Sequence, residues 1–270
     1  MLELYHHGSS VCAAKVRWGM IEKGLDFKAH YVDILKGEQF NPEYLKLNPK
    51  AVVPTLIHDG NVVTESTVIL EYLDLVFPER RLTPADPLDY VKTRFWTKAL
   101  DEHLHVACGT LTFASAHRHI LRKNLSSSEL EEFLAGTPKE SVTKDWDARK
   151  KQLVKYGFEA PGAADMVKEH DQYLAQMNQD LQHSRWLASE EFGLADVSLT
   201  PYVNRIAMMG MSGWWENNRY PYLEQWWQRI QQRPTFKSAI MDWCPADLTD
   251  DLMTFGSKSW PEVKAIIGIK

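Results

Sequence analysis

The chain has 270 residues, of which 44% are hydrophobic and 25% charged, and its formal net charge is −5 at pH 7. This composition is typical of a globular protein with one large or two modest domains. The negative balance and the lack of a basic stripe argue against a nucleic-acid partner, and no apolar run approaches the roughly 18 residues of a membrane helix.

The N-terminal sequence MLELYHH has no charged segment followed by an apolar core, so it does not resemble a signal peptide. Three scattered cysteines, Cys12, Cys108 and Cys244, are too few for a disulfide framework. We therefore expect a cytoplasmic protein without a membrane partner.

Residues 1–78 follow a β-α-β-α-β-β-α pattern. The alternating strand LELYH precedes a helical segment, SSVCAAKVRWGMIEKG, which Gly24 ends, and a second strand, DFKAHYVDI, follows. VPTLIHDGNVVTES predicts a hairpin that turns at residues 59–61. Ser66 is predicted to cap the next helix and Pro78 to end it. This order predicts a compact thioredoxin-like domain.

After the polar connector ERRLTPADPLD, strand signals nearly disappear and helical periodicity dominates. We predict an α/β domain over residues 1–80, a linker over 81–88 and an all-helical domain over 89–270. A charged, weakly periodic insertion near 124–162 is expected to be loosely helical.

Val53-Pro54 lies where a loop enters a predicted strand. A proline there donates no ladder hydrogen bond, and either a cis bond in a tight turn or an ordinary edge-strand proline explains it. In a thioredoxin-like domain, the cis turn would leave the Val53 amide and carbonyl free to pair with a peptide-like ligand.

Glu65 and Ser66 lie where the predicted hairpin leads into a helix. The amides of a helix N-terminus bind a carboxylate, and a glutamate beside them binds an ammonium group. The pair therefore suits the α-amino-acid end of a ligand, although a simple helix cap explains it equally well.

Ser10 precedes the first predicted helix and Cys12 lies within its first turn. A hydroxyl donor and a helix N-terminus both favour a bound thiolate, and the same terminus favours ionisation of Cys12. Packing as a small buried residue is the alternative for Cys12. The histidines at 103, 105, 117 and 119 are spaced by two along a helix and point apart, so no metal site is expected.

Taken together, Ser10, Val53-Pro54 and Glu65-Ser66 resemble the glutathione site of the glutathione transferase superfamily. The segments LNPKAVVPTLIHDGNVVTESTVILEYL and GLADVSLTPYVNRI are similar to its signatures, and the resemblance extends along the whole chain. SVCAAKVR is similar to the serine pattern of the zeta class and of tetrachlorohydroquinone reductive dehalogenases. Other segments, among them TKALDEHLHVACGTLTFA and the insertion, resemble bacterial lignin β-aryl-etherases.

The resemblance implies glutathione as co-substrate, no metal, and a homodimer. It places Ser10 at the glutathione thiol and adds Gln39 and Lys50 at the glycine carboxylate, beside Val53, Pro54, Glu65 and Ser66. A pocket for a small hydrophobic aromatic electrophile is expected between the domains, with three aromatic residues in its wall: Trp96, Phe113 and Trp214. The sequence departs from the family at Gly193, where serine or threonine usually caps the helix that Asp196 helps to hold.

Three functions remain open at this level. The favoured one is a transferase whose glutathione thiolate attacks a carbon bearing a leaving group, for example the aryloxide of a β-aryl ether. The second is reductive dehalogenation or thiol–disulfide exchange through Cys12. The third is a binding module that keeps the fold without the reaction.

Overall fold

The structure is a computed structural model that describes residues 1–269. Its N-terminal part is a four-stranded sheet of β1 (Leu2–His6), β2 (Lys28–Tyr31), β3 (Thr55–His58) and β4 (Asn61–Thr64). The strand order is β2-β1-β3-β4; β1 and β2 run parallel, and the other two pairs are antiparallel.

Three helices accompany the sheet: α1 (Val11–Glu22), α2 (Pro42–Leu47) and α3 (Ser66–Val76). The parallel β1–β2 pair requires the α1 crossover. The hairpin turns at Asp59 and Gly60, both with positive φ, as the sequence predicts. One expectation is wrong: α3 begins at Ser66, so the capping position belongs to Glu65. The predicted fold class is confirmed.

The rest of the chain is helical. A long helical column is formed by α4 (Pro87–Ala99), α5 (His105–Thr112) and α6 (Arg118–Asn124), joined through two wide π-helical turns at Leu100–Leu104 and Phe113–His117. Beyond it come α7 (Ser127–Ala135), α8 (Trp146–Tyr156), α9 (Ala163–Asp180), α10 (Leu194–Met208), α11 (Pro221–Gln231), α12 (Pro234–Ala239) and α13 (Ala246–Ile266). The charged insertion thus contains two defined helices, α7 and α8. No helix of residues 1–269 combines the length and apolar character that a bilayer crossing requires.

The two parts of the chain share a core, because α1 packs against α10 and α12. The fully buried Trp18 donates to Thr235 (3.1 Å), and Glu22 pairs with Arg233 (2.8 Å). These contacts fix the C-terminal half of α1 relative to the helices that face it.

The departure at Gly193 has a steric cause. A Cβ at this position would lie 2.8 Å from the carbonyl oxygen of Leu82, which already accepts from the Leu194 amide (2.7 Å). The Asp196 carboxylate accepts from the Gly193 amide (3.1 Å), although glycine has no side chain to cap the first turn of α10. Glycine therefore allows the chain before α10 to approach Leu82 closely.

Candidate active site

A cavity of about 380 Å³ lies between the sheet part and the helical column. The sheet side contributes the residues predicted for glutathione, and all of them line the same space: Ser10, Gln39, Lys50, Val53, Pro54, Glu65 and Ser66. The topology brings them together because the start of α1, the entry to β3 and the start of α3 lie at one edge of the sheet.

Ser10 occupies the N-terminal cap of α1. Its hydroxyl accepts from the Ala13 amide (3.1 Å) and faces the Val53 carbonyl at 3.4 Å. The proton donated weakly to Val53 is available for a better acceptor in the cavity, such as a thiolate. The partial positive charge of the helix terminus adds to this preference for an anion.

Val53 precedes Pro54 through a cis peptide bond. No group within residues 1–269 accepts a hydrogen bond from the Val53 amide, although the residue lies in the cavity wall. An unpaired backbone donor of this kind matches a ligand that carries an amide carbonyl.

Glu65 has a φ of 67°, an unusual value for a residue with a side chain. A conformation in this region costs about 1–3 kcal/mol and is concentrated at functional sites. The Glu65 side chain does not cap α3, so the amides of the first turn remain open toward the cavity. Its carboxylate instead pairs with Lys50 (2.7 Å).

The two remaining polar residues predicted for glutathione, Gln39 and Lys50, differ in their exposure to solvent. Gln39 is buried and donates to the Ile34 carbonyl (3.2 Å), while its own carbonyl oxygen has no partner among residues 1–269. Lys50 is half exposed at the mouth of the cavity. Because an ammonium group has three donors, Lys50 can bind a carboxylate of a ligand while it keeps its contact with Glu65.

Comparison with known proteins shows the family to which a chain with this fold and this cavity belongs. Family models described as glutathione S-transferase, N-terminal domain, and glutathione S-transferase, C-terminal domain, match residues 9–76 and 140–234. Protein LigF of Sphingobium sp. strain SYK-6 is 32% identical over 240 residues, which cover 87% of this chain and 91% of LigF. The chain belongs to the glutathione S-transferase family.

Two further comparisons refine the placement of this glutathione S-transferase. The tetrachloro-p-hydroquinone reductive dehalogenase of Sphingobium chlorophenolicum is 28% identical over 247 residues, 88% of this chain and 95% of that relative. The crystal structure of the β-etherase LigF superposes with a TM-score of 0.78 at 31% identity, covering 89% of this chain and 99% of that one. The predicted resemblance is confirmed at the level of the family and of both relatives.

The wall of the transferase cavity contains a group of aromatic residues. Phe113 lies in its wall, as predicted. Trp96 and Trp214 do not: both are buried elsewhere, where their indole nitrogens donate to Asp180 (3.0 Å) and Asp171 (2.8 Å). The expectation for these two residues is wrong, because each tryptophan joins two helices of the core. Phe40, Phe133 and Trp146 complete the aromatic wall instead.

Cys12 faces the same cavity, in a cluster with two side chains of the helical part. Its sulfur lies 3.6 Å from Nδ1 of His105 and 3.7 Å from the Tyr202 hydroxyl, and these two groups are 3.2 Å apart. Burial opposes ionisation of the thiol, but the charge and hydrogen bond of His105 outweigh it and lower the pKa of Cys12 to about 7. Cys108, which lacks such a partner, is buried with a pKa raised to about 11.

Ser9 is already committed to a buried network. Its hydroxyl lies 3.1 Å from both the His117 ring and the Arg205 guanidinium, which also donates to the Ser9 carbonyl. Of the three polar residues at the start of α1, only Ser10 and Cys12 therefore face the cavity with available polar atoms.

Several residues of this site are absent from the sequence prediction. Asp101, His105 and His117 lie in or next to the two π-helical turns, and all line the cavity. From the sequence alone, His105 and His117 are considered only as metal ligands. Within residues 1–269, no group of three or more potential ligands is placed to hold a metal ion. The helical periodicity of this region predicts a helix without indicating its π-helical turns.

The low pKa of Cys12 makes its reactivity testable. Alkylation of Cys12 by iodoacetamide is expected to increase as the pH rises through about 7, because the thiolate is the reactive form. In a His105→Asn variant the midpoint should move toward the usual cysteine pKa of about 8.5. Rates measured by peptide mass spectrometry between pH 5.5 and 9.5 provide the check, with Cys244 of the same molecules as internal reference. An unchanged midpoint in the variant would contradict the His105 assignment.

Proposed function

We propose that this chain is a glutathione transferase that attacks an aromatic electrophile, with a β-aryl ether ketone as the favoured substrate. In this reaction the glutathione sulfur forms a bond to the carbon next to the ketone. The carbon–oxygen bond of the ether breaks, and the aryloxide leaves with the electron pair and takes up a proton. The products are a thioether and a phenol.

The position of Ser10 is the observation that carries this proposal. Its hydroxyl donates toward the cavity from the N-terminus of α1, and its geometry leaves the proton available to a sulfur anion. One such bond and the helix terminus together favour the thiolate, which requires about 1.4 kcal/mol for each unit by which the thiol pKa falls.

The other polar groups hold glutathione in a fixed orientation. The unpaired Val53 amide would donate a hydrogen bond to the carbonyl oxygen of the cysteinyl residue, and the open first turn at Ser66 would bind the γ-glutamyl carboxylate while Glu65 accepts from the ammonium group. Gln39 and Lys50 lie toward the glycine carboxylate. Positioning of two reactants in this way supplies much of the rate enhancement in a bimolecular displacement.

We infer that the two parts of the chain have different roles. Residues 1–80 hold glutathione, and residues 89–270 form the electrophile pocket. The similarity to LigF, whose structure is described as a β-etherase, favours an aryl ether as the leaving side. The direct check is product analysis. Incubation with glutathione and the ether should yield the glutathione thioether and the phenol in equal amounts by mass spectrometry, and a phenol formed without the thioether would contradict the mechanism.

The Cys12–His105–Tyr202 cluster supports a second candidate, reductive dehalogenation of a halogenated hydroquinone. Glutathione first takes the place of one halogen on the ring, and the halogen leaves as halide. The Cys12 thiolate then attacks the sulfur of the glutathionyl hydroquinone: an S–S bond forms, the S–C bond breaks, and the ring carbon keeps the electron pair and takes up a proton. A second glutathione then reduces the mixed disulfide. A mass increase of Cys12 by one glutathione during turnover would favour this reaction.

We propose a homodimer built on α3 and α4. An ion pair between Glu71 and Arg94 joins these helices, and apolar side chains project from them into solvent: Leu75, Val76, Leu88, Val91 and Phe95. Leu88 and Phe95 are 72% and 69% exposed, and large contiguous apolar patches commonly mark an interface.

The dimer predicts a specific variant effect. Phe95→Glu is expected to shift the protein from dimer to monomer in sedimentation velocity, because a charge would be buried without a partner. Lys92→Ala, a neighbouring exposed change on α4, should leave the dimer intact. A monomeric wild type at micromolar concentration would contradict the proposal.

The three cysteines have no disulfide partner. Unpaired thiols, one of them with a lowered pKa, are compatible with a reducing compartment. We propose the cytoplasm as the place of action.

A further inference from the structure

The charged insertion sends one lysine into the active-site cavity. Lys150 lies on α8, only 5% exposed, and its ammonium group donates to the Thr137 hydroxyl (3.0 Å). It also lies 4.1 Å from the ring centre of Phe133 and 5.6 Å from that of Phe113, the distances of cation–π contacts. These rings belong to the cavity wall, as does Lys150 itself.

No carboxylate balances this ammonium group. Within residues 1–269, no aspartate or glutamate lies within ion-pair distance of Lys150. Two other lysines are buried, and each has a carboxylate nearby: Lys23 pairs with Asp74 at 2.7 Å, and Lys15 lies 4.0 Å from Asp101. A buried cation without an acid partner is costly, so it is normally paired or assigned to a ligand.

An anion beside Lys150 would stabilise its ammonium form against the effect of burial. Burial alone lowers the pKa of Lys150 to about 7. Two other basic groups line the cavity: Arg205 from α10, and His117, whose pKa is held well below its usual range by burial and by neighbouring cations. The proposed attack of glutathione at Ser10 uses none of the three.

The cavity therefore has two chemically different ends. The sheet end holds Ser10 and Cys12, and the insertion end presents an ammonium group between phenyl rings. An aromatic ring of a ligand would pack against such rings from the cavity, and an ionised oxygen attached to that ring would meet the ammonium group.

We propose that Lys150 is a specificity-determining residue that binds an anionic oxygen, a phenoxide or a carboxylate, carried by the aromatic ring of the electrophile. This inference rests on the proposed function, since it names the class of electrophile that the transferase accepts. Thr137, which already accepts from Lys150, holds the ammonium group in place. The ring would then be oriented with its reactive carbon toward the sulfur end.

The test compares ligands that differ only at the ring oxygen. The probes are an aryl ether ketone with a para-hydroxyl or para-carboxylate group and its para-methoxy or methyl-ester counterpart. Lys150→Met keeps the apolar stem and removes the charge, Lys150→Arg restores it, and Lys151→Met is the matched exposed control on the same helix. Melting curves check that each variant is folded.

A charge-assisted hydrogen bond of this kind corresponds to about a 10- to 100-fold change in affinity. Lys150→Met should raise KM by that factor for the hydroxyl or carboxylate probe, with KM for glutathione and for the neutral probe unchanged. Lys150→Arg should recover part of the loss, and Lys151→Met should equal the wild type. Equal losses on charged and neutral probes, or no loss on either, would overturn the inference.

Calorimetric binding separates this inference from the proposed reaction. The ligand is a para-hydroxy or para-carboxy aryl ketone without a leaving group, so binding needs no turnover. A charge preference that disappears in Lys150→Met supports the anion site even if no ether is cleaved. Cleavage without any charge preference supports the reaction and overturns the anion site. The two probes also distinguish phenoxide from carboxylate.

Discussion

Replacing Ser10 by alanine is expected to lower kcat/KM for a glutathione-dependent displacement by about 10- to 100-fold, since a hydrogen bond to a charged group contributes about 1.5–3 kcal/mol. The loss should appear at neutral pH and shrink as the pH approaches the pKa of the thiol of free glutathione. At that pH the thiol ionises without help from the protein. Initial rates between pH 6 and 9.5 measure both effects.

A matched variant separates this role from helix capping. Ser10 also accepts from the Ala13 amide, so its removal costs stability at the α1 terminus by about 1 kcal/mol. Ser10→Asp retains an N-cap acceptor but provides no proton for a thiolate. If capping alone mattered, the aspartate variant would keep its activity; we expect it to be as impaired as the alanine variant.

Replacing Asp196 by alanine is expected to destabilise the protein by at least about 3 kcal/mol, because each unsatisfied buried donor costs about 1–3 kcal/mol. Three donors converge on this buried carboxylate: the Leu187 amide (3.1 Å), the Gly193 amide (3.1 Å) and the Trp226 indole (2.7 Å). Urea unfolding followed by tryptophan fluorescence measures the change in free energy.

The same substitution tests whether α10 is held from its first turn. Asp196→Asn keeps one acceptor oxygen and should lose less stability than the alanine variant. Because α10 carries Arg205 into the cavity and Tyr202 to the Cys12 sulfur, activity should fall with stability. A cost below about 1 kcal/mol for Asp196→Ala would show that water replaces the carboxylate, contrary to its burial.

The sheet half of the site could be predicted because it depends on local signals. A hydroxyl before a helix, a proline at a strand entry and a Glu-Ser pair before another helix each have a meaning that neighbouring residues determine. The sheet topology then brings Ser10, Val53 and Ser66 to one cavity. The error at Glu65 concerned one residue of a helix boundary, where such predictions are weakest.

The helical half could not be predicted to the same depth, because its contributions depend on long-range packing. His105 faces Cys12 across 93 positions, after a π-helical turn that shifts the face of the helix, and no residue pattern indicates that turn. Lys150 belongs to a stretch whose charge predicts an exposed surface, yet tertiary packing places it among phenyl rings. Trp96 and Trp214 are aromatic and were therefore predicted to line the pocket, but their indole nitrogens donate to acceptors in the core.

We infer that Ser10, rather than Cys12, provides the essential contact to a glutathione thiolate that displaces an aryloxide. The most direct test of this claim is glutathione-dependent release of phenol from a β-aryl ether ketone, measured in parallel for the wild type, Ser10→Ala and Cys12→Ala. We expect release by the wild type and by Cys12→Ala, and a loss with Ser10→Ala. Loss with Cys12→Ala, together with glutathione trapped on Cys12 of the wild type, would contradict the claim and favour the reductive reaction.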